Sequence, residues 1–384
     1  MTQFTFDTTA RIEFGAGRLN NLGELAAAML GGRVLLVTDP GIVALGLAGR
    51  VMSILTGAGL DVQIFDQVQA DPPEAVILAA TAMATDHNST GIIGLGGGSS
   101  LDVAKLVAIL AKQKQNLAAI YGVGNVSSDR LPLILVPTTA GTGSEVTKVS
   151  IVTTGAREKM GVVSPVLLPD VALLDPELTY GLPAHITAAT GIDAMVHAIE
   201  AYASVSPNNN PISRNLAVNA LRLMLPQVLN AVKNPTDQAA RADMLLGSML
   251  AGQAFANSPV AAVHALAYPI GGHFKVPHGL SNALVLPHVL RFNCETAPDV
   301  YAELAAQVLP EILGDAATRA AKFVDHLAVL SRDCGLEQGL NEVGIGKKDL
   351  PMMARDAMKQ TRLLVNNPRP LTEADALAIY TAAL

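Results

Sequence analysis

Asp193 and His197 are the first residues whose types and spacing suggest metal chemistry. They lie four positions apart in an apolar stretch of the sequence. Residues at positions i and i+4 share one face of a helix, so both side chains can reach the same ion. The alternative is a hydrogen-bonded pair on a helix surface, and the spacing alone does not exclude it.

His264 and His278 supply two more imidazoles further along the chain. His264 follows a long uncharged stretch, and a buried imidazole needs a partner. We expect Pro269, Gly271 and Gly272 to break the helix between the two histidines, so that the chain folds back. One carboxylate and three imidazoles suit a borderline divalent ion such as iron, zinc or manganese. The sequence therefore predicts a metal site formed by these two histidines and the Asp–His pair.

A run of glycines after an apolar segment points to a nucleotide site. Gly96, Gly97, Gly98 and Ser99 follow that segment, and a helical pattern through Asp102 comes next. Consecutive glycines let backbone N–H groups approach a pyrophosphate, which the N-terminus of the following helix stabilises. A plain glycine-rich turn is the alternative.

Two further loops carry groups that a nucleotide could use. Asp39 follows the first predicted strand, where its carboxylate could accept hydrogen bonds from a ribose and repel a 2′-phosphate, which favours NAD over NADP. An Asp-Pro-Gly turn is an equally good interpretation of Asp39. The segment 137–145 carries the hydroxyl groups of Thr138, Thr139 and Thr142 directly after another predicted strand.

The pattern of elements predicts a sheet domain followed by a helical one. Short β-branched runs alternate with helical periodicity in the first half, which is typical of parallel strands joined by crossover helices. We expect strands at residues 34–38, 62–65, 91–95, 133–136, 149–153 and 171–174. Helical periodicity then predominates, as at 192–203, 214–232 and 241–255, and Thr372 looks like the N-cap of a final helix. We predict a Rossmann-like α/β dinucleotide-binding domain over 1–181 and an all-helical metal-binding, catalytic domain over 182–384.

Composition argues against several classes of protein. Half of the 384 residues are hydrophobic and 15% are charged, which is typical of a folded chain with a large core. The net charge of -7, without a basic cluster, argues against nucleic-acid binding. We expect the uncharged stretch 244–263, which contains Gly, Gln, Asn and Pro, to be a helix buried in the protein rather than a membrane span. Two scattered cysteines and a start without a signal-like run predict a cytoplasmic protein.

Taken together, these motifs resemble the iron-containing, or group III, alcohol dehydrogenase family over essentially the whole length. The resemblance implies the dehydroquinate synthase-like fold of that family and a homodimer. It implies ferrous iron at Asp193, His197, His264 and His278. It also implies NAD contacts from Asp39, Gly97, Gly98, Ser99, Asp102, Thr138, Thr139, Thr142 and Lys159. Asp71, Leu178 and Phe255 fall where the family places cofactor or pocket contacts.

Three residues depart from the family pattern or stand beside it. Asp71 replaces a more usual asparagine, and Tyr268 stands where some relatives carry a histidine. His273, in the loop expected between two ligands, is a candidate proton relay that could pass the alcohol's proton to solvent. His273 and the ligand His278 are therefore our candidate catalytic residues. A surface histidine is the alternative for His273.

The predicted function is a metal-dependent alcohol dehydrogenase. It would transfer a hydride between NAD(H) and a small alcohol or aldehyde, with the metal as Lewis acid. Iron is the expected ion, although the same ligands also accept zinc or manganese. The alternatives are a zinc polyol dehydrogenase of the glycerol type, a dehydroquinate synthase-like lyase, and a non-catalytic nucleotide-binding scaffold.

Overall fold

The chain divides at Tyr180 into two units, in a computed structural model that describes residues 3–113, 115–155 and 158–384. One unit spans Asp7–Tyr180. The other combines Gly181–Leu384 with the first residues of the chain, up to Phe6. The first unit holds the strands and the second is helical, so each is described by itself.

A parallel sheet forms the centre of the α/β unit. The strands are β1 (Arg11–Phe14), β2 (Arg33–Val37), β3 (Asp61–Phe65), β4 (Gly91–Gly96), β5 (Gly122–Val123), β6 (Leu133–Pro137), β7 (Val149–Thr154), β8 (Glu158–Val163) and β9 (Val171–Leu174). Six of these form one sheet in the order β1-β9-β6-β4-β2-β3, with parallel pairing throughout. The predicted parallel sheet is confirmed.

Helices on both faces of this sheet explain why its inner strands, β2, β4, β6 and β9, are apolar at almost every position. They are α1 (Leu22–Met29), α2 (Pro40–Ala44), α3 (Leu47–Gly57), α4 (Glu74–Asp86) and α5 (Gly98–Lys112). Leu35 and Val37 of β2 belong to one buried cluster, and Val34 and Leu36 belong to another. Successive strand residues point to opposite faces, so a strand covered on both sides has no position for a polar side chain.

The strand predicted at 149–153 belongs to a different sheet from the one we expected. β7 pairs antiparallel with β8, and β8 pairs in parallel with β5. Because only residues 155–157 separate β7 from β8, the chain has no room for the crossover that a parallel pair needs. The prediction that 149–153 is another parallel strand was wrong.

The second unit is helical, as predicted, and its described residues form no strand. Its helices are α6 (Ala184–Ala203), α7 (Pro211–Met224), α8 (Val228–Lys233), α9 (Gln238–Asn257), α10 (Ala262–Phe274), α11 (His278–Cys294), α12 (Pro298–Val308), α13 (Ala316–Asp333), α14 (Leu350–Ala357), α15 (Thr361–Leu364) and α16 (Glu373–Ala382). Thr372 caps α16, where its side chain accepts a hydrogen bond from the Asp375 backbone N–H. That predicted cap is confirmed.

Prolines break this unit in places other than those we expected. The stretch 214–232 is two helices, α7 and α8, because Pro226 lies between them. The stretch 244–263 is also not one helix, since α9 ends at Asn257, just before Pro259, and α10 begins at Ala262. No helix in the described part of the chain is long and apolar enough to cross a membrane.

Helix α10 continues through the residues that we expected to break it. Pro269 lies inside the helix and is buried, as are Ile270 and Gly271. The burial of this segment offsets the one backbone hydrogen bond that a proline removes. The chain turns instead at Lys275, whose backbone is left-handed with φ 61°. The predicted break at 269–272 was wrong.

Candidate functional site

Four ligand-type side chains converge in the helical unit. Asp193 and His197 lie on α6, His264 lies on α10, and His278 is the first residue of α11. One donor atom from each of the four lies within 4.8 Å of the others. Asp193, His197 and His264 are buried, whereas the His278 side chain is 35% exposed. The structure therefore brings together all four residues that the sequence singled out, and leaves one side of the cluster open.

The spacing of the donor atoms fits a single divalent ion. Asp193 Oδ1 lies 3.9 Å from His264 Nε2 and 3.8 Å from His278 Nε2. Bonds of about 2.1 Å at tetrahedral angles would separate two ligand atoms by about 3.4 Å, so a small inward adjustment closes the site. A carboxylate with three imidazoles suits iron, zinc or manganese.

Stacked rings fix the position of His197. Its ring lies 4.3 Å from the ring of Phe255 on α9, with 21° between the ring planes, and 4.7 Å from the ring of His264. Phe255, which the resemblance placed near the pocket, thus contacts a ligand of the cluster. The packing limits the rotation of the imidazole and holds its nitrogen toward the other ligands.

Helix α11 approaches α6 closely because its second residue is Gly279. A side chain there would stand well inside van der Waals contact of the Ala189 carbonyl oxygen, and 3.3 Å from Asp193 Cβ. Glycine therefore permits the contact that places His278 beside Asp193. Gly279 was not among the predicted site residues, although its place directly after the predicted ligand His278 was a signal.

Glu200 orients His264, although it was not among the predicted site residues. Its Oε2 lies 2.6 Å from His264 Nδ1, and its Oε1 accepts a hydrogen bond of 2.7 Å from the Val263 backbone N–H. A buried carboxylate beside Nδ1 favours the proton on that nitrogen and leaves Nε2 free to bind metal. The available signal was an acidic residue three positions after His197 in an otherwise apolar helix.

The electrostatic environment favours a charged Asp193. Burial alone would raise the pKa of this carboxyl group. The three neighbouring histidines and a hydrogen bond of 2.6 Å from the Asn282 amide outweigh burial, so the pKa of Asp193 lies below its usual value. A carboxylate that stays ionised at all physiological pH values is ready to bind a cation.

Tyr268, rather than His273, lies beside the cluster. Its ring is 6.1 Å from the ring of His278. On α10 it is one turn beyond His264, whereas His273 is nine residues beyond and so about 180° around the helix axis. His273 is in the last turn of α10, not in a loop, and its Nε2 lies 2.6 Å from Asp356 Oδ2. The expected loop position was wrong, and the relay role stays a prediction that this geometry does not favour.

In the α/β unit, the three predicted nucleotide loops follow neighbouring strands. β2, β4 and β6 are adjacent and parallel, so their carboxyl ends meet at one edge of the sheet. Ser100 Oγ donates to Asp39 Oδ2 at 3.1 Å, and the Thr138 N–H donates to the Gly96 carbonyl at 3.0 Å. The loops that carry Asp39, Gly97 and Thr138 are therefore in contact.

The glycine loop leads directly into helix α5. Gly97 is the N-cap, and its lack of a side chain leaves the first N–H groups of the helix without a side-chain cap. Gly98 and Ser99 form the first turn, which suits a phosphate group. A Cβ on Gly98 would lie 2.8 Å from Thr142 Cγ2, whereas one on Gly97 would lie no closer than 3.7 Å to the Thr139 side chain. Packing therefore requires glycine at position 98, whereas a Cβ at position 97 would make only ordinary van der Waals contact with Thr139.

Asp39 fits both interpretations that the sequence left open. Its Oδ1 accepts hydrogen bonds from the backbone N–H groups of Gly41 and Ile42, and so caps α2. Its Oδ2 faces Ser100 at the start of the α5 region. The turn role is therefore present, and the carboxylate also lies at the edge where the glycine loop begins.

Four other predicted cofactor residues have partners within the protein. Asp102 accepts hydrogen bonds from Ser144 Oγ at 2.6 Å and from the Ile151 N–H at 2.9 Å, which ties α5 to the loop after β6. Lys159 forms an ion pair of 2.7 Å with Asp71, whose backbone is left-handed with φ 52°. Leu178 packs against a buried cluster on one face of the sheet. Their contacts with NAD stay predictions.

The chain has an α/β unit followed by a helical unit, and the helical unit brings together an aspartate and three histidines. This combination defines a class of metal-binding proteins. Comparison with known proteins identifies the family. The family model described as iron-containing alcohol dehydrogenase matches residues 9–176, and the model described as Fe-containing alcohol dehydrogenase family, C-terminal, matches residues 187–384. The chain belongs to the iron-containing alcohol dehydrogenase family, as the motifs predicted.

Three relatives illustrate the similarity. Long-chain-alcohol dehydrogenase 1 of Geobacillus thermodenitrificans is 41% identical, over 98% of this chain and 97% of its own. The NAD-dependent methanol dehydrogenase of Bacillus methanolicus is 33% identical, over 100% of both chains. The crystal structure of a 1,3-propanediol oxidoreductase superposes with a TM-score of 0.96 at 35% identity, over 100% of both chains.

Proposed function

We propose that this protein is an NAD-dependent alcohol dehydrogenase that requires a divalent metal, with iron as the natural ion. The observation that carries the proposal is the convergence of Asp193, His197, His264 and His278 to within 4.8 Å. Family membership and relatives named for alcohol and methanol oxidation support it. The reaction transfers a hydride between NAD(H) and a small alcohol or aldehyde.

The four ligands set the chemistry of the centre. A divalent ion held there would supply a Lewis acid to polarise the oxygen of the alcohol or aldehyde. The helices around the cluster keep three ligands away from water, which strengthens electrostatic interactions at the site. His278 is the one partly exposed ligand, so the substrate approaches from its side. Tyr268 lies on that side and helps to shape the space for the substrate.

The α/β unit would bind the cofactor. The free N–H groups at the start of α5 suit the pyrophosphate, and the carboxylate of Asp39 disfavours the 2′-phosphate of NADP. The hydroxyl groups of Thr138, Thr139 and Thr142 line the neighbouring loop. The same proposal includes a cytoplasmic location, with Cys294 and Cys334 as free thiols, and the homodimer that the family resemblance implies.

A metal-loading experiment tests this function. The protein is purified without oxygen, loaded with Fe²⁺, and assayed for NADH formation with a panel of short and long primary alcohols and diols. We expect activity that needs both metal and alcohol. His264→Ala and His278→Ala should each lose stoichiometric metal and nearly all turnover. His185→Ala, an exposed histidine on the same helix as Asp193, serves as the control and should keep both.

Two results would contradict the proposal. If neither ligand variant lost metal, the cluster would not be the metal site. If metal-loaded protein formed no NADH with any alcohol, and consumed none with the corresponding aldehydes, the chain would be a nucleotide-binding scaffold rather than a dehydrogenase.

A further inference from the structure

Asn282 lies among the ligands of the cluster. Its side chain is fully buried on α11. The Nδ2 atom is 2.6 Å from Asp193 Oδ1, 3.3 Å from His264 Nε2 and 3.3 Å from His278 Nε2. One end of this amide therefore contacts three of the four ligand atoms.

The other end of the amide is unsatisfied. Among the residues that the structure describes, none donates a hydrogen bond to Asn282 Oδ1, which is buried. A buried carbonyl oxygen without a partner costs free energy on the order of 1–3 kcal/mol. A hydrogen-bond donor or a cation beside Oδ1 would remove this cost.

A bound ion would be that partner. An ion at about 2.1 Å from Asp193 and the two histidines must lie within about 3 Å of the Asn282 amide, given the three distances above. An amide NH₂ group has no lone pair to offer and carries partial positive charge, so a divalent cation repels it. The amide oxygen and nitrogen exchange places by a half-turn of the side chain, with no change of shape.

The helix spacing supports a ligand role. His278 and Asn282 are four positions apart on α11, as Asp193 and His197 are on α6. Each helix thus presents an i, i+4 pair to the same point, and His264 lies between the pairs.

We propose that Asn282 is a fifth residue of the metal centre and that its Oδ1 faces the ion. The inference rests on the proposed function only in assuming that a divalent metal binds the cluster. A neutral oxygen added to three imidazoles and a carboxylate favours ions that accept five or six ligands, such as Fe²⁺ and Mn²⁺. Zinc in protein sites prefers four. Asn282 is therefore a determinant of metal selectivity.

The first test is the crystal structure of the full chain loaded with Fe²⁺ under anaerobic conditions. We expect Oδ1 to face the ion at a distance below about 2.6 Å, close to the range of oxygen ligands. An amide that still donates from Nδ2 to Asp193, with Oδ1 more than about 3 Å from the ion, would overturn the proposal.

The second test compares variants by chelator competition, without any activity assay. Asn282→Leu keeps the size of the side chain but removes the oxygen, so we expect Fe²⁺ affinity to fall by about tenfold or more and Zn²⁺ affinity to fall much less. Asn282→Asp retains an oxygen at this position and should keep Fe²⁺ affinity. His288→Gln, further along the same helix, should change neither affinity.

The outcomes separate this inference from the proposed function. An Fe²⁺-to-Zn²⁺ affinity ratio that is the same in Asn282→Leu and in the unmodified protein refutes the role of Asn282, even if the enzyme oxidises alcohols. If Asn282 Oδ1 contacted the ion but the protein had no dehydrogenase activity, the proposed function would be refuted and the role of Asn282 would stand. If Asn282→Leu does not fold, the crystal structure and the aspartate variant decide the question.

Discussion

The environment of a single imidazole decides whether the cluster can bind metal. His264 has one nitrogen facing Glu200 and the other facing Asp193. A histidine with its proton on Nε2 could not bind an ion with that atom, so Glu200 selects the useful form of the ring. Because Glu200 also accepts the Val263 N–H, it holds both the ring and the start of α10 in place.

We predict that Glu200→Gln weakens metal binding by about 10- to 100-fold, the usual cost of losing such a partner. Glutamine has the right size, but its NH₂ group must face either the Val263 N–H or the His264 ring. In the first case the NH₂ group and the Val263 N–H are two donors that face each other. In the second case the NH₂ group needs an acceptor at His264 Nδ1, so the ring proton moves to Nε2. Chelator competition with Fe²⁺ measures the effect, and His264→Ala sets the limit for full loss of the ligand. An unchanged affinity would show that Glu200 serves only the backbone.

Asp39 combines a structural role with a role in cofactor choice, and the two can be separated. Asparagine caps helices about as well as aspartate, so Asp39→Asn should leave α2 intact while removing the charge. We expect the ratio of catalytic efficiencies with NADP and NAD to rise by about tenfold to a hundredfold. Asp39→Gly should raise the ratio too, but with a loss of stability from the missing side-chain cap. If the asparagine variant keeps the original ratio, the carboxylate acts only as a cap.

Residue type and spacing made the ligands predictable, whereas their neighbours were not. Asp193 and His197 became a predicted metal site only together with His264 and His278, and the glycine run became a predicted nucleotide site only together with two further loops. Glu200 and Asn282 carry ordinary residue types, and their roles depend on which helices pack together. The local sequence does not predict that the first turn of α10 packs against Glu200.

At the scale of elements, the site depends on how closely two helices approach. Gly279 lets α11 pack against the backbone of α6 at Ala189. A methyl group there must push the helices apart, and His278 and Asn282 would move with α11. The distance between α6 and α11 therefore sets the distances within the metal centre.

We predict that Gly279→Ala lowers both stability and metal affinity. Overpacking of this kind costs about 1–3 kcal/mol of unfolding free energy, and displaced ligands weaken binding further. Gly271→Ala on α10 is the matched control, because a Cβ there would meet only ordinary contacts, the nearest at 3.4 Å. Urea unfolding and chelator competition on both variants check the prediction. Equal metal affinity in the two variants would mean that α11 tolerates the shift.

The errors in predicting the elements share a physical cause. Proline is a strong local signal for the end of a helix, yet Pro269 lies within α10 because the surrounding helices bury it. In the same way, β7 has the apolar pattern of a sheet strand, and only its short connection to β8 reveals the antiparallel pair. Local pattern predicted the kind of each element, while long-range packing decided where elements end and with what they pair.

At the scale of the whole molecule, buried charge makes stability depend on pH. Lys105 and Glu145 are both buried in the α/β unit, where α5 meets the loop after β6. Burial lowers the pKa of Lys105, although Asp102 and Glu145 oppose this effect. Lys105 Nζ also donates to Val149 O at 2.9 Å, so this amine joins α5 to β7. Burial raises the pKa of Glu145 to about 7, against a usual value of 4.5, and its own backbone and Lys105 only partly offset the rise.

The raised pKa of Glu145 makes its contribution to stability depend on pH. Below pH 4.5 Glu145 is protonated in both the folded and the unfolded chain, so it makes no difference to stability. As the pH rises toward 7, the unfolded chain ionises freely in water while the folded chain resists, and the folded state loses on the order of 3 kcal/mol. Glu145→Gln removes this penalty, so the variant should gain unfolding free energy relative to the unmodified protein between pH 5 and pH 8. Urea unfolding at several pH values measures the difference, and Glu311→Gln, an exposed change, should show no such trend. If the difference in unfolding free energy between Glu145→Gln and the unmodified protein stayed constant across this pH range, Glu145 would ionise in the folded protein as it does in water.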